Sequence, residues 1–151
     1  MSNNMPIEKK DISKKTISYK TLVNPKLLCE LRDKILEKIV MQKKYKDPDY
    51  SAKQLAAELN TNTRYISAVC TLMFNSNYKT FINKLRIEEA MGILKDRKFK
   101  DMNAEEIGFL VGFASRQSFY NSFSEVNGMT PRTYRTKYLN KVGQRKQKEN
   151  D

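Results

Sequence analysis

Apolar residues recur at helical rather than strand spacing along most of the chain. Leu27, Leu28, Leu31, Ile35, Ile39 and Val40 form one stripe. They predict a helix from about 25 to 44, opened by Asn24 as cap and Pro25 in the first turn. KYKDPDY, with Pro48, ends it. Ser51 and Gln54 have the spacing of a capping box ahead of SAKQLAAEL. Asn60, Thr61 and Asn62 interrupt the period, and Ile66, Val69, Cys70 and Met73 resume it as far as Phe74. A longer helix starts at Asn77 and carries Phe81, Ile82, Leu85, Ala90, Ile93 and Leu94. KDRKFKD is too charged to bury and reads as a loop.

The pattern then repeats. Asn103 and Glu106 form a second capping box before AEEIGFLV, and Gly112 makes the turn. Ser115 caps the next helix and Gly128 stops it, while Thr130 and Pro131 open a last helix through Tyr134 and Tyr138. At one constant offset Ser51, Gln54, Leu55 and Leu59 fall on Asn103, Glu106, Ile107 and Val111. Beyond the turn the offset is one residue longer: Asn62, Ile66, Cys70 and Asn75 fall on Ser115, Phe119, Phe123 and Gly128. The expected fold is all-α, two tandem helix-turn-helix subdomains joined by a long linking helix. Its expected divisions are a basic flexible arm (1–23), a first subdomain (24–76), the linking helix (77–95), a second subdomain (96–141) and a frayed tail (142–151).

Charge narrows the function. Twenty-nine Lys and Arg against seventeen Asp and Glu leave a net charge of +12, which attracts polyanions. No apolar run is long enough for a membrane span, and the N-terminus does not resemble a signal peptide, so a cytoplasmic protein is expected. Cys29 and Cys70 sit in apolar helical patterns and read as buried free thiols. There is no histidine, which removes the usual general base and the usual metal ligand. No glycine-rich phosphate loop appears among the five glycines. Neither enzyme activity nor a metal or cofactor is expected.

A helix in the major groove presents short polar side chains with Arg, Asn or Gln near its N-terminal half. In the first unit the face away from Ile66, Val69 and Cys70 carries Arg64, Ser67, Ala68 and Thr71. In the second, the face away from Phe119 and Phe123 carries Arg116, Gln117, Tyr120 and Asn121. Arg pairs with guanine and Asn or Gln with adenine, so the second unit is expected to read more bases. For a single helix, solvated surface is the simpler account; the repeat on a basic chain favours reading. Asn62, Asn77, Ser115 and Thr130 open helices whose N-termini suit phosphates, with Lys79 and Arg132 adding charge. Ordinary capping is the alternative. The linking helix spans roughly 27 Å at 1.5 Å per residue, against about 34 Å between major-groove faces on one side of DNA.

These residues resemble the DNA-binding domain of the AraC/XylS family of transcription regulators. The second unit carries E-I-G-x-x-V-G-F-x-S-R-x-S-F-x-x-x-F and then G-M-T-P-x-x-Y-R, from Glu106 to Arg135. The first matches through LAAEL, YIS, FINKLRIEEA and ILK. The resemblance covers about residues 45 to 140. It implies two helix-turn-helix subdomains in adjacent major-groove faces of one promoter site, with recruitment of RNA polymerase as the activating step. Most members add an effector-binding or dimerisation domain, and the stretch ahead of the match is too short for the usual one, as expected of a short stand-alone member or of a fragment cut from a longer regulator. The chain departs from the family where Ala68 replaces a common Arg, Cys70 a Phe, Asn75 a Gly, Asn121 an Arg and Ser124 a Lys.

The expected function is sequence-specific binding of double-stranded DNA as a monomer on an asymmetric bipartite site, dimerisation remaining open, with no membrane partner. The alternative is a protein-binding module of the same fold that has lost specific readout. RNA or single-strand binding is disfavoured, because Phe113, Phe119 and Phe123 have core spacing and do not form a stacking platform. The Lys-rich arm either follows phosphates or lies in a minor groove, or else only solubilises the chain.

Overall fold

The computed structural model describes Tyr19 and residues 24–149, so the expected basic arm lies almost wholly outside the described residues. Among them are seven α-helices and no strand: α1 (Pro25–Leu36), α2 (Ala52–Glu58), α3 (Thr63–Met73), α4 (Tyr78–Lys95), α5 (Ala104–Leu110), α6 (Arg116–Asn127) and α7 (Pro131–Glu149). The predicted starts are the observed ones. Asn24 Oδ1 accepts from the Lys26 and Leu27 amides, and both capping boxes, Ser51 with Gln54 and Asn103 with Glu106, are closed in both directions. No helix of the described residues is long and apolar enough to cross a membrane.

Two elements differ from expectation. α1 does not run evenly to 44 but widens into a π turn, Glu37–Met41, and the chain leaves it through Lys43 at φ 54°. Beyond 142, where a tail was expected, α7 continues to Glu149. Gln, Arg, Lys and Glu are good helix formers, and the single Gly143 is too little to stop them.

The described chain folds as two compact units. The first holds the residues up to Lys44 together with Asp49–Ile82; the second holds Tyr45–Pro48 with Asn83 onward. In the first unit, Leu28, Leu31, Ile35 and Ile39 are buried with Leu55, Ile66, Val69 and Cys70. Phe74 stacks on Phe81 with ring centres 4.4 Å apart. The Tyr50 hydroxyl donates to Glu58, which also pairs with Lys38 at 3.3 Å, and the two contacts hold the Glu58 carboxyl below its ordinary value. Cys70 is buried and Cys29 only half-buried; both are free thiols.

In the second unit one core cluster joins Ile87, Ala90 and Leu94 of α4 to Ile107, Val111, Phe113, Phe119, Phe123 and Tyr134. Gly112 makes the turn at φ 113°, where a Cβ would lie 2.6 Å from the Tyr45 carbonyl oxygen and 2.8 Å from that of Lys46. A backbone oxygen cannot swing aside as the end of a flexible side chain can. Gly92, in mid-α4, has open space around it.

These two glycines predict opposite outcomes. Gly112→Ala should destabilise the protein by more than about 1 kcal/mol, and Gly92→Ala should stabilise it by about 0.5–1 kcal/mol. Urea unfolding of both variants checks the pair. Burial also pushes the Cys70 thiol up to about 12, so it is protonated at neutral pH. An alkylating thiol reagent at pH 8 should therefore label Cys29 alone in the folded protein and both cysteines in urea, read by mass spectrometry.

Candidate nucleic-acid interface

The two candidate reading helices, α3 and α6, are built alike. Each opens on a side-chain cap: Asn62 Oδ1 accepts from the Tyr65 amide, and Ser115 Oγ from the Ser118 amide. Each stops at a left-handed residue, Asn75 at φ 52° and Gly128 at φ 67°. Asn is among the few side chains that tolerate this region, which is how the first unit dispenses with glycine. Asn60, the counterpart of Gly112, likewise sits at φ 53°.

α6 is pinned from behind. Phe119 and Phe123 are fully buried, with Phe119 centred 5.3 Å from Phe113 and 5.7 Å from Phe123. Gly108 on α5 lets the helices close up, since a Cβ there would fall 2.5 Å from Phe119 Cδ1. With that face fixed, Arg116, Gln117 and Asn121 stand exposed on the other. Tyr120 is half-buried: its ring meets Phe119 edge-on, and the Arg116 guanidinium lies 4.5 Å above its centre. Such a contact contributes about 0.5–1 kcal/mol at an exposed site and limits where Arg116 can swing.

Arg116 and Tyr120 also line a cleft of about 540 Å³ with Lys100, Arg132, Arg135 and Thr136. The structure thus brings Arg116, Tyr120 and Arg132 together. Thr130 caps α7 by accepting from the Thr133 amide, and Asn77 caps α4 by accepting from the Thr80 amide. Lys79 and Arg132 are exposed beside these caps. The four capping side chains are engaged, so any phosphate there would meet first-turn amides and the two cations.

α3 presents less. Arg64 is exposed, Ser67 and Thr71 are half-buried, and Ala68 is fully buried with Val69 and Cys70. The expectation that Ala68 meets a base edge is therefore corrected: it is a packing residue. Its position between Ser67 and Val69 lies just inside the apolar boundary, where a methyl side chain gives periodicity no contrast.

The sequence reading missed two arginines. Arg86, on the buried stripe of α4 between Ile82 and Ala90, is 9% exposed. Its Nε donates to the Tyr45 carbonyl at 2.6 Å and Nη2 to that of Asp47 at 3.0 Å. Arg135 donates through Nη1 to Met102 O at 2.6 Å and through Nη2 to Phe99 O at 3.3 Å; burial lowers its pKa. A cation in line with apolar positions four residues before and after it was the available signal for Arg86.

The helix-turn-helix domain family matches residues 55–137. No curated protein sequence matches the chain. Among solved structures, the C-terminal domain of AraT, a response regulator from Geobacillus stearothermophilus, is 23% identical, with a TM-score of 0.60 over 76% of this chain and 86% of that one. The C-terminal domain of the response regulator yesN from Fusobacterium nucleatum is 22% identical, with a TM-score of 0.54 over 68% of this chain and 97% of that one. An AraC-type transcriptional regulator from Chromobacterium violaceum is 18% identical, with a TM-score of 0.59 over 70% of this chain and 92% of that one. At these identities the likeness is one of fold. With the match over residues 55–137 and the motifs of both repeats, the chain belongs to the AraC-type helix-turn-helix family of DNA-binding transcription regulators.

Proposed function

We propose that the protein reads an asymmetric, two-part promoter site as a monomer, with α3 and α6 each placed in a major-groove face. The observation that carries this reading is α6: a helix immobilised by two buried phenylalanines that shows Arg116, Gln117 and Asn121 to solvent. The linking helix α4, Tyr78–Lys95, supports it, being roughly 27 Å long and so of the order of one DNA turn. The net charge of +12 supports phosphate contacts, for which Lys79, Arg132 and the first-turn amides of α4 and α7 are the candidates. Recruitment of RNA polymerase to the promoter is the activating step that family membership supports. Base readout is unequal, with α6 the main reader, because α3 offers only Arg64, Ser67 and Thr71.

The decisive experiment is selection of bound duplexes from a random DNA pool at fixed salt. Two elements about one helical turn apart are expected. A single element would mean that only α6 reads, and no enrichment would favour the protein-binding module, for which the buried Ala68 is the supporting observation.

Single substitutions separate reading from docking. Arg116→Ala or Gln117→Ala should relax selectivity at one base pair by about 1–3 kcal/mol, measured by competition among singly altered sites. Equal weakening on every sequence would refute those assignments. Lys79→Ala or Arg132→Ala should instead weaken all sequences alike and lower the salt slope by about 1.

A further inference from the structure

The short segment Tyr45–Pro48 precedes the first helix-turn-helix in sequence, yet it belongs to the second unit. Arg86 grips it through the carbonyls of Tyr45 and Asp47. Glu89, one turn along α4, accepts from the Tyr45 hydroxyl at 2.6 Å and pairs with Lys46 at 2.8 Å. The segment is also packed against the turn between α5 and α6: the missing Cβ of Gly112 is what lets the Tyr45 and Lys46 carbonyls approach. The next residue, Phe113, lies with its ring centre 5.6 Å from the Arg86 guanidinium carbon and 5.3 Å from the ring of Phe119.

These contacts form one chain: Arg86 to the Tyr45–Asp47 backbone, that backbone to Gly112, Gly112 to Phe113, and Phe113 to Phe119. Phe119 sets the rotation of α6. We propose that Arg86 and the Tyr45–Pro48 segment are a positioning element for the second reading helix, holding its preceding turn so that Arg116, Gln117 and Asn121 meet the DNA in one register. The inference rests on the reading of α6 as a DNA reader. None of the nine side chains of the second core cluster comes from 45–48, so releasing the segment removes no residue from that cluster. The positioning role is thereby separable from folding.

The second unit contains a parallel. Arg135 of α7 holds the carbonyls of Phe99 and Met102, the stretch that leads into α5. Arg86 treats the stretch leading into α2 in the same way. The difference is that its segment rests on a turn belonging to the other helix-turn-helix. The guanidinium fork is suited to this task, because two carbonyls can be held at a fixed separation only by a rigid, multi-donor group.

The test compares the wild-type chain, Arg86→Ala, Arg86→Lys and Tyr45→Phe by selection from random DNA, followed by competition binding on singly altered sites. Helical content and melting are monitored so that binding is read below the melting range. In Arg86→Ala, discrimination at the base pairs read by α6 is expected to fall about tenfold, the scale of one lost specific contact. Discrimination at the α3 element and the salt slope should hold. Arg86→Lys should recover part of the loss, and Tyr45→Phe should show a smaller loss of the same kind. If Arg86→Ala does not fold, the other two variants carry the comparison. Folded variants that discriminate at the α6 element as wild type does would overturn the inference, as would equal loss at both elements. Failure of the wild type to select any α6 element would instead overturn the reading of α6, and this inference with it.

Discussion

The second unit depends on where one ring sits. Phe119 has no exposed surface and touches Phe113, Tyr120 and Phe123, and the Gly108 backbone lies too close to it for any side chain there. The ring therefore sets both the separation of α5 from α6 and the rotation of α6 about its axis. Phe123, one turn later, faces the same way and removes the remaining freedom. Burying such side chains contributes about 1.5–3 kcal/mol each, and their edge-to-face contacts add about 0.5–1.5 kcal/mol per pair. An exposed ion pair contributes about 0–1 kcal/mol. The polar face of α6 is thus little needed for stability, which is supplied from the opposite side.

The two repeats meet the same geometric demands with different residues. Where the second unit uses Phe119 and Phe123, the first uses Ile66 and Cys70, and both sets are fully buried. Where the second turns through Gly112 and Gly128, the first turns through Asn60 and Asn75 at positive φ. Asparagine costs more than glycine in the left-handed region but less than other side chains. The smaller back face of α3 draws Ala68 into the core and leaves Ser67 and Thr71 half-buried. Of its four candidate residues, α3 leaves only Arg64 exposed. The asymmetry between the two helices follows from packing as much as from the choice of exposed residues.

Much of this was legible in the sequence because it is local. A capping box spans three residues and a helical stripe repeats every three or four, so caps, helix starts and stops, the repeat and the core positions Phe113, Phe119 and Phe123 could all be read directly. Ala68 was misplaced because alanine suits either side of an amphipathic boundary. Tyr120 serves two faces because one end of a tyrosine is apolar; it packs on Phe119 and also supports Arg116. Arg86 was invisible to a reading that counted charge as surface. The extension of α7 past 142 was missed by weighing a lone glycine above its helix-forming neighbours.

What remained hidden is non-local, and it takes one chemical form twice. Arg86 bonds to carbonyls 41 and 39 residues away, and Arg135 to carbonyls 33 and 36 residues away. In each case the acceptors lie in or just beyond a short 3-10 turn, Lys44–Lys46 or Arg97–Phe99, that leads into a helix-turn-helix. Such a turn leaves carbonyls unpaired by regular structure, and burying them without a donor would cost about 1–3 kcal/mol each. A guanidinium supplies donors to two of them at once. Because the acceptors are main-chain atoms, the partner's side chains carry no trace of the contact, and KYKDPDY reads as no more than a helix stop. The arginine's constraint falls on the path of the backbone, to which Tyr45 and Lys46 add side-chain contacts of their own with Glu89. The arginine is not interchangeable with lysine, whose three donors sit on one nitrogen and do not reproduce the spacing of the planar guanidinium fork.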